Sequence, residues 1–252
     1  MVAGPLSDEQ IGEFVERGWT VLRRAFAPAV ARAVRSAIGE RVGIDLAQPI
    51  QWTQPRIWIR ELLTDSPYTD ALTDRFRAGV DQLVGADRWV MRPEMGSWPI
   101  TFPGFNHDHF GHGWHVEGDW FRHRLTSPEQ ALLNLFCFST VEPGGGGTLV
   151  VEGSHHLAAH LLRDAEPAGM DATDLATAVA RRLDEQGWPP AVEVVAEEGD
   201  VVLAHPLILH SPGPNRGTYP RVMAQPAFSM VEPKRTVGAG LFPVELPLAA
   251  TG

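Results

Sequence analysis

Two side chains two residues apart, His115 and Glu117 in "GWHVEGDWF", have the types and spacing of a metal chelate. In an extended strand, residues i and i+2 point to the same face, so one imidazole and one carboxylate can enter the same pocket. A later strand delivering another imidazole would complete a three-point site, and "GDVVLAHPLILHSPGPN" offers His205 and His210. These stand five residues apart, so in one continuous strand they face opposite sides and only one can serve. His210 precedes the turn "SPGPN", where a strand ends at a barrel mouth, and is the favoured ligand, whereas His205 lies deeper. Two histidines and one carboxylate on one face, with coordination positions left open, form the facial triad suited to non-haem Fe(II) oxygenases. The same donors suit zinc. A zinc-dependent hydrolase or isomerase is therefore the alternative, and a non-catalytic jelly-roll binding module is a third reading.

Other polar groups receive plainer readings. Asp119 competes with Glu117 as a ligand, but the intervening Gly118 marks a turn that ends the strand. His107, His109 and His112 belong to the rim or packing of a pocket, and His155 and His156 to a structural turn. The glycines from Gly144 to Gly147 lead into "TLVVEGS" without a lysine, which argues for a tight strand connection and against a phosphate loop. Cys137 sits within the apolar run "ALLNLFCFSTV" as a small hydrophobe, and a single cysteine forms no intrachain disulfide.

The elements that must position these residues are short. Ser7 and Gln10 read as a capping box opening a helix that stops at Gly18; "WTVLRRAF" alternates as a strand; a second helix starts near Pro28 and ends near Gly43. From about residue 87 the chain becomes a series of β-type runs broken by Gly and Pro, the pattern of a sandwich or double-sheet jelly roll. Residues 156–187 interrupt it with helical spacing. An insertion into a barrel loop reads as a substrate-binding lid, with a scaffold or dimer role as the alternative. No linker or repeat divides the 252 residues, so one domain over 1–252 is expected. The formal charge of −10 and the lack of a Lys/Arg stripe argue against nucleic acid and anionic membrane. No stretch approaches the roughly 18 apolar residues of a membrane span, and the expectation is a cytoplasmic protein, monomer or homodimer, with a small-molecule substrate.

Taken together, "LSDEQIGEFVERGWTVLRRAF", "WHVEGDW", "GGGTLVVEGSHH" and "GDVVLAHPLILHSPGPN" resemble segments of the phytanoyl-CoA dioxygenase family of Fe(II)/2-oxoglutarate-dependent oxygenases. The resemblance runs over roughly residues 7 to 230 and is loose between 45 and 90 and in the insertion. It implies a mainly β chain with flanking helices, folded as a double-stranded β-helix of the jelly-roll, cupin-like type. It also implies Fe(II) as cofactor, 2-oxoglutarate and dioxygen as cosubstrates, and His115, Glu117 and His210 as both iron ligands and catalytic residues. Arg221, eleven residues after His210, matches the arginine that binds the far carboxylate of 2-oxoglutarate, while Arg216 faces solvent in "PNRGT". The family's usual aspartate is Glu117 here, and Pro212 stands where many relatives carry a small hydroxyl residue. Asn134 and Thr148 lie on strands suited to replacing that cosubstrate contact. Relatives that halogenate have a small residue at the carboxylate position. Glu117 fills it, which implies hydroxylation, desaturation, cyclisation or epoxidation, and the family's breadth implies a small molecule of specialised metabolism.

Overall fold

Ser7 and Gln10 form the predicted reciprocal cap, with Gln10 N donating to Ser7 Oγ (3.2 Å) and Ser7 N to Gln10 Oε1 (3.0 Å). They open helix α1 (Asp8–Arg17), which ends at Gly18 in the left-handed region with φ of 93°. The structure, a computed structural model, describes residues 4–105 and 113–249. Strand β1 (Trp19–Leu22) is shorter than its alternating sequence suggests, because the chain turns at Arg24 with φ of 51°. Helix α2 (Pro28–Val42) has Pro28 in its first turn and Gly43 as its left-handed cap. Strand β2 (Arg56–Ile59) and helix α3 (Asp74–Val84) follow. Neither stood out in the sequence. For α3 the signals were present: Thr73 caps Phe76 N, and Phe76, Val80, Leu83 and Val84 recur at helical spacing.

The remaining strands are β3 (Trp98–Thr101), β4 (Leu133–Cys137), β5 (Thr148–Val150), β6 (Val192–Glu193), β7 (Val201–Ala204), β8 (His210–Pro212) and β9 (Arg221–Ala224). Two helices, α4 (Ser154–Asp164) and α5 (Ala172–Gln186), occupy the predicted insertion. The strands form a six-stranded sheet in the order β1-β7-β4-β9-β3-β2 and a three-stranded sheet in the order β6-β5-β8. This is the expected mainly β jelly roll with flanking helices. "RWVMRP" contributes only a single bridge, Trp89 to Met230.

Alternation along the strands sorts the side chains into layers. Leu133, Leu135, Cys137, Val202, Ala204 and Met223 face inward and meet Val150, Val194 and Ile208 from the small sheet. Phe136, Phe138, Val201, Leu203, Val222 and Ala224 face outward and pack beneath α1, α2 and α3 with Phe14, Phe26 and Phe76. Apolar residues of α4 and α5 cover the back of the small sheet. Cys137 is free and fully enclosed, and burial pushes its thiol up to about 12. No helix among the described residues is long and apolar enough to cross a membrane.

The segment after Glu232 is tied down by charge. Lys234, the chain's only lysine, donates from Nζ to the carbonyls of Ser127 (2.5 Å) and Gln130 (2.6 Å). Glu245, fully buried, accepts from Arg88 at 2.7 Å, from Arg235 at 2.8 Å and from the Phe242 amide at 3.0 Å. Burial opposes its ionisation, but these donors outweigh burial and hold the carboxyl down to about 2. A folded-state value below the unfolded one means that this stabilisation is complete above the ordinary carboxyl value of 4.5. It is lost as pH falls towards about 2. Glu245→Ala is expected to lower stability at neutral pH by on the order of 3 kcal/mol, because it strands two guanidiniums. Denaturant titrations across that acid window check this: the variant loses less stability on acidification than the wild type.

Candidate active site

The site is built on one backbone exchange. His115 N donates to His210 O (2.9 Å) and His210 N to His115 O (3.0 Å), an antiparallel bridge that sets the two residues directly opposite each other. Their rings lie 4.2 Å apart between centroids. Glu117 is two residues beyond His115, and its Oε2 is 3.7 Å from His210 Nε2. One ligand atom from each of the three residues lies within 4.8 Å of the others. Gly118 turns the chain with φ of 105°, leaving Asp119 exposed outside this cluster. His107, His109 and His112 lie outside the described residues.

Second contacts orient the imidazoles. His115 Nδ1 meets the Gly113 carbonyl at 2.7 Å and His210 Nδ1 the Ile208 carbonyl at 3.0 Å. A carbonyl accepts, so each Nδ1 carries the proton and each Nε2 presents its lone pair. Burial, and then the neighbouring His210, lower the pKa of His115, favouring its neutral ligating form. Burial works against the Glu117 carboxylate, but positive charge on the surrounding imidazoles when they are protonated, that of His210 first, outweighs it and lowers its pKa. His123, buried, donates from Nε2 to the Gly118 carbonyl at 3.0 Å and so steadies the turn that follows Glu117. That support was not read from the sequence.

His205 belongs elsewhere. The run from Gly199 to His210 is not one strand: β7 ends at Ala204 in the large sheet and β8 begins at His210 in the small one. Fully buried, His205 uses Nε2 toward the Val244 carbonyl (3.1 Å) and accepts from Leu207 N at Nδ1 (3.2 Å). His155 and His156 both reach the Val15 carbonyl, at 3.0 and 2.9 Å.

Across the interior, Arg221 opens β9 opposite Thr101 of β3. Arg221 is buried, and its Nε has no hydrogen-bond partner among the described residues; the hydroxyls of Thr101 and Ser211 are unpartnered as well. Burial pushes the guanidinium down to about 10. A buried cation of this kind fits an anion brought by a ligand. Thr148 stands directly opposite Pro212, on the inner face with His210. Asn134 is a correction. It shares the outward face of β4 with Phe136, pairs with Leu203 and donates to the carbonyls of Leu132 (3.1 Å) and Pro226 (3.4 Å), so the sheet's alternation takes it away from the pocket. Arg216 is exposed. The Gly144–Gly147 stretch is a turn clasped by Glu193, whose carboxylate accepts from Gly144 N (2.6 Å) and Gly147 N (2.8 Å). A groove of about 960 Å³ between α2 and the loops around residues 139–145 and 217–220 contains none of the three clustered residues.

A family model described as phytanoyl-CoA dioxygenase (PhyH) matches residues 14–223. The chain belongs to the phytanoyl-CoA dioxygenase family. It is thus a member of the Fe(II)/2-oxoglutarate-dependent oxygenases and not a zinc hydrolase or a binding module. Solved structures share its fold. HygX from Streptomyces hygroscopicus, with nickel and 2-oxoglutarate bound, is 16% identical with TM-score 0.55 over 90% of this chain and 88% of that one. EctD from S. alaskensis, with 2-oxoglutarate and 5-hydroxyectoine, is 19% identical with TM-score 0.58 over 92% and 78%. The non-heme alpha-ketoglutarate-dependent carbocyclase SnoK from nogalamycin biosynthesis is 18% identical with TM-score 0.55 over 90% and 87%. No curated protein matches this oxygenase.

The helical insertion of this oxygenase packs behind the site. Val116 and Leu209, each adjacent to a clustered residue, point outward into the apolar faces of α4 and α5, and Trp114 stacks near Trp188 at 5.5 Å. The apolar faces of α4 and α5 thus pack directly against the strands carrying the cluster. Leu209→Ala is expected to cost about 2–5 kcal/mol and to weaken metal binding; Leu83→Ala in α3 is expected to cost a similar amount but leave metal affinity intact. Calorimetric titration with Fe(II), beside unfolding curves, separates the two. In the same assay His210→Ala is expected to lose the metal and His205→Ala to retain it.

Proposed function

We propose that His115, Glu117 and His210 hold Fe(II) and that Arg221 receives the far carboxylate of 2-oxoglutarate, in an oxygenase acting on a small organic molecule. The observation carrying this reading is the convergence of two Nε2 lone pairs and a carboxylate on the interior that also encloses Arg221, whose Nε has no hydrogen-bond partner among the described residues. The donor set is that of a facial triad, which leaves positions for cosubstrate and dioxygen. When bound, Fe(II) with 2-oxoglutarate and dioxygen supplies oxidation of an aliphatic carbon–hydrogen bond as 2-oxoglutarate becomes succinate and carbon dioxide.

The chain's own residues supply orientation and exclusion of water. Backbone carbonyls of Gly113 and Ile208 keep the imidazoles in the ligating tautomer. The Arg221 guanidinium offers a planar fork for a carboxylate, and Thr148, opposite Pro212, and Thr101, opposite Arg221, offer hydroxyls where proline has none. Glu117 fills the position that a halide would need, so the product is hydroxylated, or desaturated, cyclised or epoxidised. A role in specialised metabolism is supported by HygX, which has been crystallised with hygromycin B, and by SnoK of nogalamycin biosynthesis. We place the enzyme in the cytoplasm as one domain, monomer or homodimer.

Succinate formation from 2-oxoglutarate in the presence of Fe(II) tests the assignment. Arg221→Leu leaves a carboxylate without its partner, a loss of about 2–5 kcal/mol. Its affinity for 2-oxoglutarate is expected to fall by tens to thousands of fold with iron retained, whereas Arg216→Leu is expected to behave as wild type. Equal behaviour of the two variants would remove Arg221 from this role.

A further inference from the structure

Strand β2 is the last in the order of the large sheet, beside β3. Arg56 pairs across from Thr101, and Thr101 across from Arg221, so the three side chains form one row on the inner face. Two residues along β2, on that same face, stands Trp58, and just past the end of the strand stands Arg60. Both guanidiniums lie on the Trp58 ring, each Cζ 5.1 Å from its centroid, which sets the two charges no more than about 10 Å apart. The ring is itself anchored, since Nε1 donates to Ser97 Oγ at 3.0 Å. Ser97 holds this place with φ of 52°, a backbone conformation that costs a non-glycine residue about 1 kcal/mol or more.

This ladder stands out against the rest of the molecule. The chain carries a formal charge of −10, yet Arg221 and Arg56 share its inner sheet face and Arg60 joins Arg56 on the Trp58 ring. Arg60 is exposed and makes no ion pair among the described residues, and Trp58 remains 40% exposed despite its size. By contrast Arg122 is committed to the insertion, bonding Asp171 and the carbonyls of Ala168 and Gly169. Guanidiniums held on an aromatic ring lose less freedom when they engage a planar oxyanion. Like charges assembled on a solvent-reachable wall are relieved by an anion.

We infer that Arg60, held on Trp58 beside Arg56, is a specificity determinant for a substrate bearing an oxyanion group, carboxylate or phosphate, at the pocket wall beyond Arg221. This inference rests on the proposed oxygenase reading, in which Arg221 is reserved for 2-oxoglutarate. The alternative is a merely structural ladder that protects a sheet edge with charge. That role would make Arg60 matter for stability and not for binding.

Calorimetric titration of the anaerobic protein, loaded with Fe(II) and 2-oxoglutarate, with benzoate, phenyl phosphate and uncharged benzyl alcohol decides between them. At least one anion is expected to bind tenfold or more tightly than benzyl alcohol, and the tighter anion tells carboxylate from phosphate. Arg60→Gln is expected to weaken that anion tenfold or more and Arg60→Lys less. Arg181→Gln, the same charge change on the exposed face of α5, is expected to have no effect. The inference is overturned if neither anion is preferred over benzyl alcohol, or if Arg60→Gln and Arg181→Gln behave alike. Failure of 2-oxoglutarate itself to bind in the loading step would count against the oxygenase reading instead.

Discussion

The reciprocal pair of backbone hydrogen bonds between His115 and His210 is the constraint from which the site's geometry follows. Residues directly opposite in an antiparallel pair put their side chains on the same face. Two imidazoles from segments nearly a hundred residues apart are therefore brought together by main-chain pairing, with no need for side-chain contacts to align them. Glu117 is then placed by the period-two repeat from His115. Gly118, free to adopt φ of 105°, turns the chain immediately afterwards and keeps Asp119 out of the cluster.

Such a short bridge would be weak alone, and its support comes from behind. Val116 and Leu209 alternate with the clustered residues and anchor both segments in the apolar layer under α4 and α5. The same alternation that sends His115, Glu117 and His210 inward sends these two outward. Apolar burial on one face thus becomes precision on the other. The helical insertion supplies that apolar layer.

Two buried charges show how burial separates structure from function. Glu245 is enclosed with its carboxylate fully engaged by Arg88, Arg235 and two backbone amides, and it closes the C-terminal segment against the fold. Arg221 is enclosed with its Nε unanswered among the described residues. A satisfied buried charge marks a structural tie. An unsatisfied one is suited to a partner of opposite charge, and the neighbouring Thr101 hydroxyl is likewise without a hydrogen-bond partner among the described residues.

Local signals carried much of this protein. The capping box at Ser7 and Gln10, the glycine stops at Gly18 and Gly43, the H-x-E pair and the helical insertion are all readable because each depends on a few adjacent residues or on one period of repetition. The family was legible from motif order along the chain. Tertiary structure alone decided which face each strand would turn inward. Asn134 and Thr148 looked equivalent in sequence, yet the register of β4 against β7 sends Asn134 under the helices, while the pairing of β5 with β8 sets Thr148 across from Pro212. The separation of His205 from His210 is of the same kind: periodicity told them apart, but the break at Ala204 that puts them in different sheets arises from long-range pairing. The gathering of Arg56 and Arg60 on Trp58 near Arg221 likewise exists only once β2, β3 and β9 lie side by side. Pairing between strands distant in sequence leaves no local trace, because the hydrogen bonds that set it are made by backbone groups common to every residue.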